Sequence, residues 1–180
     1  PELFERIKAL VKAGKWHIMG GWYLQPDCNM PAGESFVRQI RVGQRYFMEK
    51  FGVRPTVATN FDPFGHTVGL VQIIKKCGQD GYICMRPYSS ELSLPSEQFI
   101  WRGLDGSEIK AARSIGGYGS HLGKAVEFIR ERAEGQDFPV GMILWGVGNH
   151  GGGPSDKDLT DIAELMRTSE NKYIHSTPEN

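Results

Sequence analysis

The sequence predicts an α/β fold built on a parallel sheet, and three observations predict it. Short apolar or β-branched runs alternate with helical-period segments of about ten to sixteen residues, the pattern of βαβ units. The run Val140–Trp145 (VGMILW) is continuously apolar, as strands buried on both faces are. An Asp105-Gly106 turn between Phe99–Trp101 and Ile109–Ala111 reads as a β-hairpin insertion into that alternation.

The elements follow in order. Pro1 suits a first helical turn, and Leu3, Ile7, Leu10 and Val11 recur at helical spacing up to Gly14. Trp16–Leu24, bounded by Gly14 and Pro26, is apolar and aromatic and predicts a strand. Residues 25–33 are a loop. Glu34–Lys50 carries Phe36, Val37, Ile40 and Phe47 on one side and ends at Gly52, which predicts a helix. Thr56–Asn60 predicts a strand, Val68–Cys77 a helix closed by Gly78, and Tyr82–Met85 another strand. After the hairpin, Ser114–Gly119 is a glycine-rich loop and Gly123–Glu134 a helix. Val140–Trp145 is then a strand. Ser155 is an N-cap for a helix whose apolar face is Leu159, Ile162, Ala163, Leu165 and Met166. Tyr173-Ile174-His175 reads as a last strand.

Composition bounds the function. The chain has 180 residues, 39% hydrophobic and 23% charged, and its 21 basic and 21 acidic residues cancel. A phosphate backbone asks for a positive excess, so nucleic acid is not an expected partner. No apolar run reaches the roughly eighteen residues that a membrane-spanning helix needs. The three cysteines, Cys28, Cys77 and Cys84, suit a reducing compartment, the cytoplasm, better than a disulfide scaffold. The opening Pro1-Glu2-Leu3-Phe4-Glu5 is already helical in pattern, and the closing Thr177-Pro178-Glu179-Asn180 leads toward another element. The expectation is one partial domain, residues 1–180, truncated at both ends.

In parallel α/β folds the loops after the strands share one face, and ligands bind there. Those loops carry Asp27, then Asp62-Pro63-Phe64-Gly65-His66, then Arg86, then Gly146 to Pro154 with Asn149 and His150. Asp62 is either a site carboxylate, held extended before Pro63, or a cap for a helix starting near Thr67. His66 is either a ligand or base, or a histidine bonded to backbone. Arg86 is either an anion or hydroxyl clamp, or an ordinary ion-pair partner. The glycine loop formally contains a GxGxxG dinucleotide fingerprint. The helix begins only after Pro154, however, and no acidic residue ends the next strand. A loop that brings a ligand against backbone, with Asn149 and His150 pointing in, is the other reading.

Taken together, these pieces resemble a known family. Gly20-Gly21-Trp22, Gly33-Glu34-Ser35 with Arg38-Gln39, and above all Asp62-Pro63-Phe64-Gly65-His66 are similar to the catalytic domain of retaining α-mannosidases of glycoside hydrolase family 38. Phe99-Ile100-Trp101-Arg102-Gly103, Asp105-Gly106-Ser107 and the glycine loop Gly148 to Pro154 are similar to bacterial members, in the same order along nearly the whole chain. The resemblance implies a distorted, here incomplete, β/α barrel. It implies an α-mannoside substrate, with Asp62 as nucleophile and zinc ligand. It makes Phe64, Arg86, Asn149 and His150 substrate-binding residues. It implies one zinc ion per full-length site, whose other ligands lie outside this chain. The acid/base stays unassigned, because the loop reads Asn149-His150 where members carry an aspartate: His150, another carboxylate, or a group elsewhere is left open. The isolated chain is expected to be inactive, and the full-length form is a possible homo-oligomer. The other readings are a metal-dependent carbohydrate deacetylase on a related barrel, or a sugar- or nucleotide-binding module using the Gly146–Gly153 loop.

Overall fold

The computed structural model describes residues 2–134, 136, 139–148 and 152–180. The chain divides into two compact units. The first comprises Pro1–Pro87, Gln98–Arg113 and Thr177–Asn180, and the second Tyr88–Glu97 and Ser114–Ser176.

The first unit holds three helices, α1 (Glu2–Lys12), α2 (Gly33–Phe51) and α3 (Leu70–Lys76), and four strands, β1 (Val57–Asn60), β2 (Gly81–Cys84), β3 (Gln98–Arg102) and β4 (Glu108–Arg113). The strands form one open sheet in the order β1-β2-β4-β3. β1 pairs with β2 and β2 with β4 in parallel, while β3 and β4 are antiparallel. The Asp-Gly hairpin is therefore present, but it is not a separate insertion. Its return strand is the third strand of the parallel array. β1 and β2 are buried at every position, whereas β3 alternates exposed and half-buried residues as an edge strand does. Ile40, Leu70, Val71, Ile74, Tyr82 and Ile109 form the centre of the core.

Residues 16–24 are not a strand in this structure. Gly20 and Gly21 stand at φ +81° and +70°, in the left-handed region, and two such residues in succession break an extended run. The segment lies across α2 instead. The Tyr23 amide donates to the Gln39 carbonyl at 2.9 Å, the Leu24 amide to Gln39 Oε1 at 2.8 Å, and the Trp22 indole to the Thr59 carbonyl at 3.0 Å. This close seat requires glycine at position 43 of the helix. A Cβ there would stand 2.6 Å from the Tyr23 nitrogen and 2.7 Å from the Trp22 carbonyl oxygen.

The second unit packs α4 (Ala125–Ala133) against α5 (Asp156–Thr168) through Ala125, Ile129, Ile162 and Leu165. Neither Val140–Trp145 nor Tyr173–His175 is a strand. Ile143, Trp145 and Tyr173 pack their side chains on the helix pair, and among the described residues the backbone contacts of this run are a Ser120–Val147 bridge, with the Ser120 N–H donating to the Gly146 carbonyl, and an Ile115 N–H to Met142 carbonyl bond. Ser155 caps α5 as expected, its hydroxyl accepting from the Asp158 amide at 3.0 Å. Asp158 in turn accepts from the Gly123 and Ala125 amides, each at 3.1 Å, and so ties the start of α4 to that of α5.

These hydrogen bonds, the Ser155 hydroxyl first, hold the Asp158 carboxyl below its ordinary value. A carboxyl depressed in the folded state adds stability above its unfolded value and loses it as pH falls toward the folded one. The thermal stability of this unit is therefore expected to fall below about pH 4. Asp158→Asn should flatten that limb of the Tm–pH curve, and an unchanged acid limb would remove Asp158 as its source.

Candidate active site

The site is built where β1 and β2 end. Two residues after β1 stands Asp62, and two after β2 stands Arg86. Because these strands are adjacent and parallel in register Asn60↔Cys84, equal extensions bring the two side chains together. Arg86 Nε donates to Asp62 Oδ1 in an ion pair, each side chain 34% exposed. The helix-capping alternative for Asp62 does not hold, because α3 begins at Leu70 after Gly69.

His66 lies behind this pair. Its Nε2 is 2.8 Å from the Arg86 carbonyl and its Nδ1 is 3.0 Å from the Tyr82 hydroxyl. The reading of His66 as a backbone-bonded histidine is the one the structure supports. Burial pushes the imidazole down from its ordinary value, against the opposing pull of the Arg86 carbonyl. Phe64 is 77% exposed, at the tip of the turn. The turn is latched from the side, since the Asn29 amide donates to the Phe64 carbonyl. The Gln25 amide oxygen accepts from Phe61 N at 3.1 Å, and Asn60 donates to the Pro26 carbonyl at 3.1 Å. The loops 25–29 and 60–66 thus form one knot.

Gly65, at φ +133°, is required twice over in that knot: a Cβ would be strained by the backbone and would meet the Asn29 amide carbon at 2.8 Å. Gly65→Ala is expected to cost about 1–3 kcal/mol of stability. Denaturant titration of the two proteins checks this, and equal midpoints would show that the turn relaxes freely.

Several expectations are corrected or fall elsewhere. Asp27 does not reach a ligand position through a strand end. Its Oδ1 accepts from Asn29 N at 2.9 Å and shapes the loop. Asn149 and His150 lie outside the described residues. The dinucleotide reading fails, because α5 opens at Asp156 behind its Ser155 cap, and Gly146 and Gly148 instead stand beside Ser120 and Gly119. Sequence reasoning missed Tyr82, Asn29 and Arg113. Arg113 ends the third parallel strand, is 4% exposed and donates to the Pro87 carbonyl at 2.9 Å. Only recognition of β4 as part of the parallel array would have brought it to the rim.

A cleft of about 400 Å³ opens beside His66, lined by Cys28, Asn29, Phe36, Thr67 and Gln72 among others. Asp62 and Arg86 are not in its lining, so the ion pair and this cleft are separate features. Among the described residues, no three His, Cys, Asp or Glu side chains gather as a metal-holding group. Asp62 would be a lone donor, which falls short of the three or four protein ligands of a zinc site. Among the described residues, no helix is long and apolar enough to cross a membrane.

Comparison with known proteins shows the family. Residues 1–180 match the family described as the N-terminal domain of glycosyl hydrolases family 38, and the chain belongs to that family. Alpha-mannosidase G of Dictyostelium discoideum is 34% identical over 173 residues, covering 94% of this chain and 16% of that protein. An alpha-mannosidase of Saccharomyces cerevisiae is 27% identical over 184 residues, covering 99% of this chain and 17% of that protein. The chain thus spans only about a sixth of the length of these relatives. The crystal structure of an alpha-mannosidase from Enterococcus faecalis V583 superposes with a TM-score of 0.79 at 22% identity, over 99% of this chain and 21% of that one. At that identity the likeness carries the fold alone.

Proposed function

We propose that this chain is part of the catalytic domain of a retaining α-mannosidase, and that Asp62 is its nucleophile. The observation that carries the reading is the Asp62–Arg86 pair at the ends of adjacent parallel strands, in a chain matched along its whole length by family 38. On this reading a carboxylate oxygen of Asp62 attacks the anomeric carbon as the glycosidic bond breaks. The leaving oxygen takes a proton from an acid that remains unassigned. Water then attacks the same carbon and releases mannose with the original configuration. Arg86 orients the carboxylate and contacts sugar hydroxyls. Phe64, exposed at the rim, offers an apolar face to the sugar ring, and Asn149 and His150 are further contacts.

The proposal extends to the whole protein. The open sheet is read as one arc of a distorted barrel, and residues 1–180 as one partial domain cut at both ends. Family 38 α-mannosidases are generally metal-dependent. Zinc, with Asp62 among its ligands and the rest outside this chain, is the ion proposed. The free thiols of Cys28, Cys77 and Cys84 support a cytoplasmic location, and a homo-oligomeric full-length form stays part of the reading.

The test is covalent trapping. An activated 2-deoxy-2-fluoromannosyl donor should leave a mannosyl adduct on the peptide carrying Asp62 in the full-length protein. An adduct on another carboxylate would overturn the assignment. The isolated 180-residue chain is expected to show no turnover of an aryl α-mannoside, and measurable turnover would show that it holds a complete site.

A further inference from the structure

We infer that His66 and Tyr82 form a positioning couple that sets the Arg86 guanidinium against Asp62. The inference rests on the reading of Asp62 as the reacting carboxylate, and it names how the residue beside it is held.

A carbonyl oxygen can only accept, so the His66 Nε2, 2.8 Å from the Arg86 carbonyl, carries the ring proton and donates it. In a neutral ring Nδ1 is then an acceptor, and the Tyr82 hydroxyl 3.0 Å away donates to it. The Tyr82 hydroxyl also lies within hydrogen-bonding reach of the Cys28 thiol and the Asn60 amide, and the order that satisfies both ring nitrogens of His66 runs from Tyr82 through His66 to the backbone of Arg86. Burial favours that order, holding the imidazole below its ordinary value and the phenol well above its own, so both groups stay neutral. Packing fixes the rings. Tyr82 is 1% exposed, and Trp101 meets His66 and Tyr82 edge-on at centroid distances of 6.0 and 5.5 Å.

What the couple grips is the main chain of Arg86, whose side chain makes the ion pair with Asp62. A long side chain attached to a loose backbone would sample many positions. A tether on its own carbonyl restricts where the guanidinium can reach. His66 acts through Arg86 and is a positioning residue. Glutamine can reproduce the pattern, with an N–H toward the carbonyl and an oxygen toward the hydroxyl; phenylalanine keeps only the ring.

The experiment compares full-length wild type, His66→Phe, His66→Gln and Tyr82→Phe by aryl α-mannoside kinetics and by crystal structures. His66→Phe should lower kcat by about 100-fold with a smaller change in KM, the scale of a misplaced group near a reacting centre. His66→Gln should recover most of that loss. The crystal structures should show the Arg86 guanidinium off Asp62 in His66→Phe and back on it in His66→Gln. Unchanged kcat with the ion pair intact in His66→Phe would overturn the inference. So would a loss that His66→Gln fails to recover. Should His66→Phe not fold, Tyr82→Phe decides: a several-fold fall in kcat supports the couple, and wild-type kcat overturns it. If no variant, wild type included, cleaves mannosides, the functional reading fails by itself. The position of the guanidinium in the crystals still decides the inference.

Discussion

Asp62→Asn in the full-length protein is expected to lower kcat for an aryl α-mannoside by about 10⁴-fold or more, the scale seen when a nucleophile is removed. The substitution is close to isosteric. The amide oxygen of asparagine can still accept from Arg86 Nε, so the pair that shapes the site has a replacement. What disappears is the charge and nucleophilicity of a carboxylate. A large fall in kcat with a folded, correctly shaped protein therefore reports on the lost carboxylate, as nucleophile or as metal ligand, and not on lost architecture, and the fluorosugar adduct separates the two roles. Kinetics together with the fluorosugar adduct give two independent readings, and a rate within a few-fold of wild type would remove Asp62 from the role of nucleophile.

Gly43→Ala is expected to destabilise the protein by about 3 kcal/mol, at the upper end of ordinary overpacking costs. The added methyl would meet the carbonyl and amide of the Trp22–Tyr23 peptide, with the carbonyl oxygen at 2.7 Å. Backbone atoms cannot swing aside as the tip of a long side chain does. Either α2 tilts away or the 20–24 segment lifts, and both break the Tyr23–Gln39 bond. Urea unfolding, followed with the fluorescence of buried Trp22, measures the loss. A change under half a kcal/mol would mean that the segment is held loosely.

The parts of the fold legible in the sequence were those where local pattern and burial agree. Thr56–Asn60 and Tyr82–Met85 are short, apolar or β-branched, and lie inside, and β1 and β2 occupy them. The helices also fall where their periodicities put them. Trp16–Leu24 misleads because its apolar side chains suggest extension, while two successive left-handed glycines dictate a bend. Val140–Trp145 misleads differently: its side chains do seek a core, but they find the helix pair and not a sheet.

The candidate site was readable to the same degree. Asp62 and Arg86 were legible because both follow strands by two residues. The supports were not, since Tyr82 and Asn29 matter through partners 16 and 35 positions away. A tyrosine inside a strand gives no sign in one dimension that its hydroxyl will find a histidine.

The outer side of β1 has a consequence for how the molecule survives before it is complete. The Thr59 carbonyl and the Phe61 amide, two groups that another chain's strand would seek, are occupied by the indole of Trp22 and the amide of Gln25. Val57 to Asn60 contains no charged residue to deter such an encounter. The aromatic and the glutamine act as stoppers on an otherwise adhesive edge.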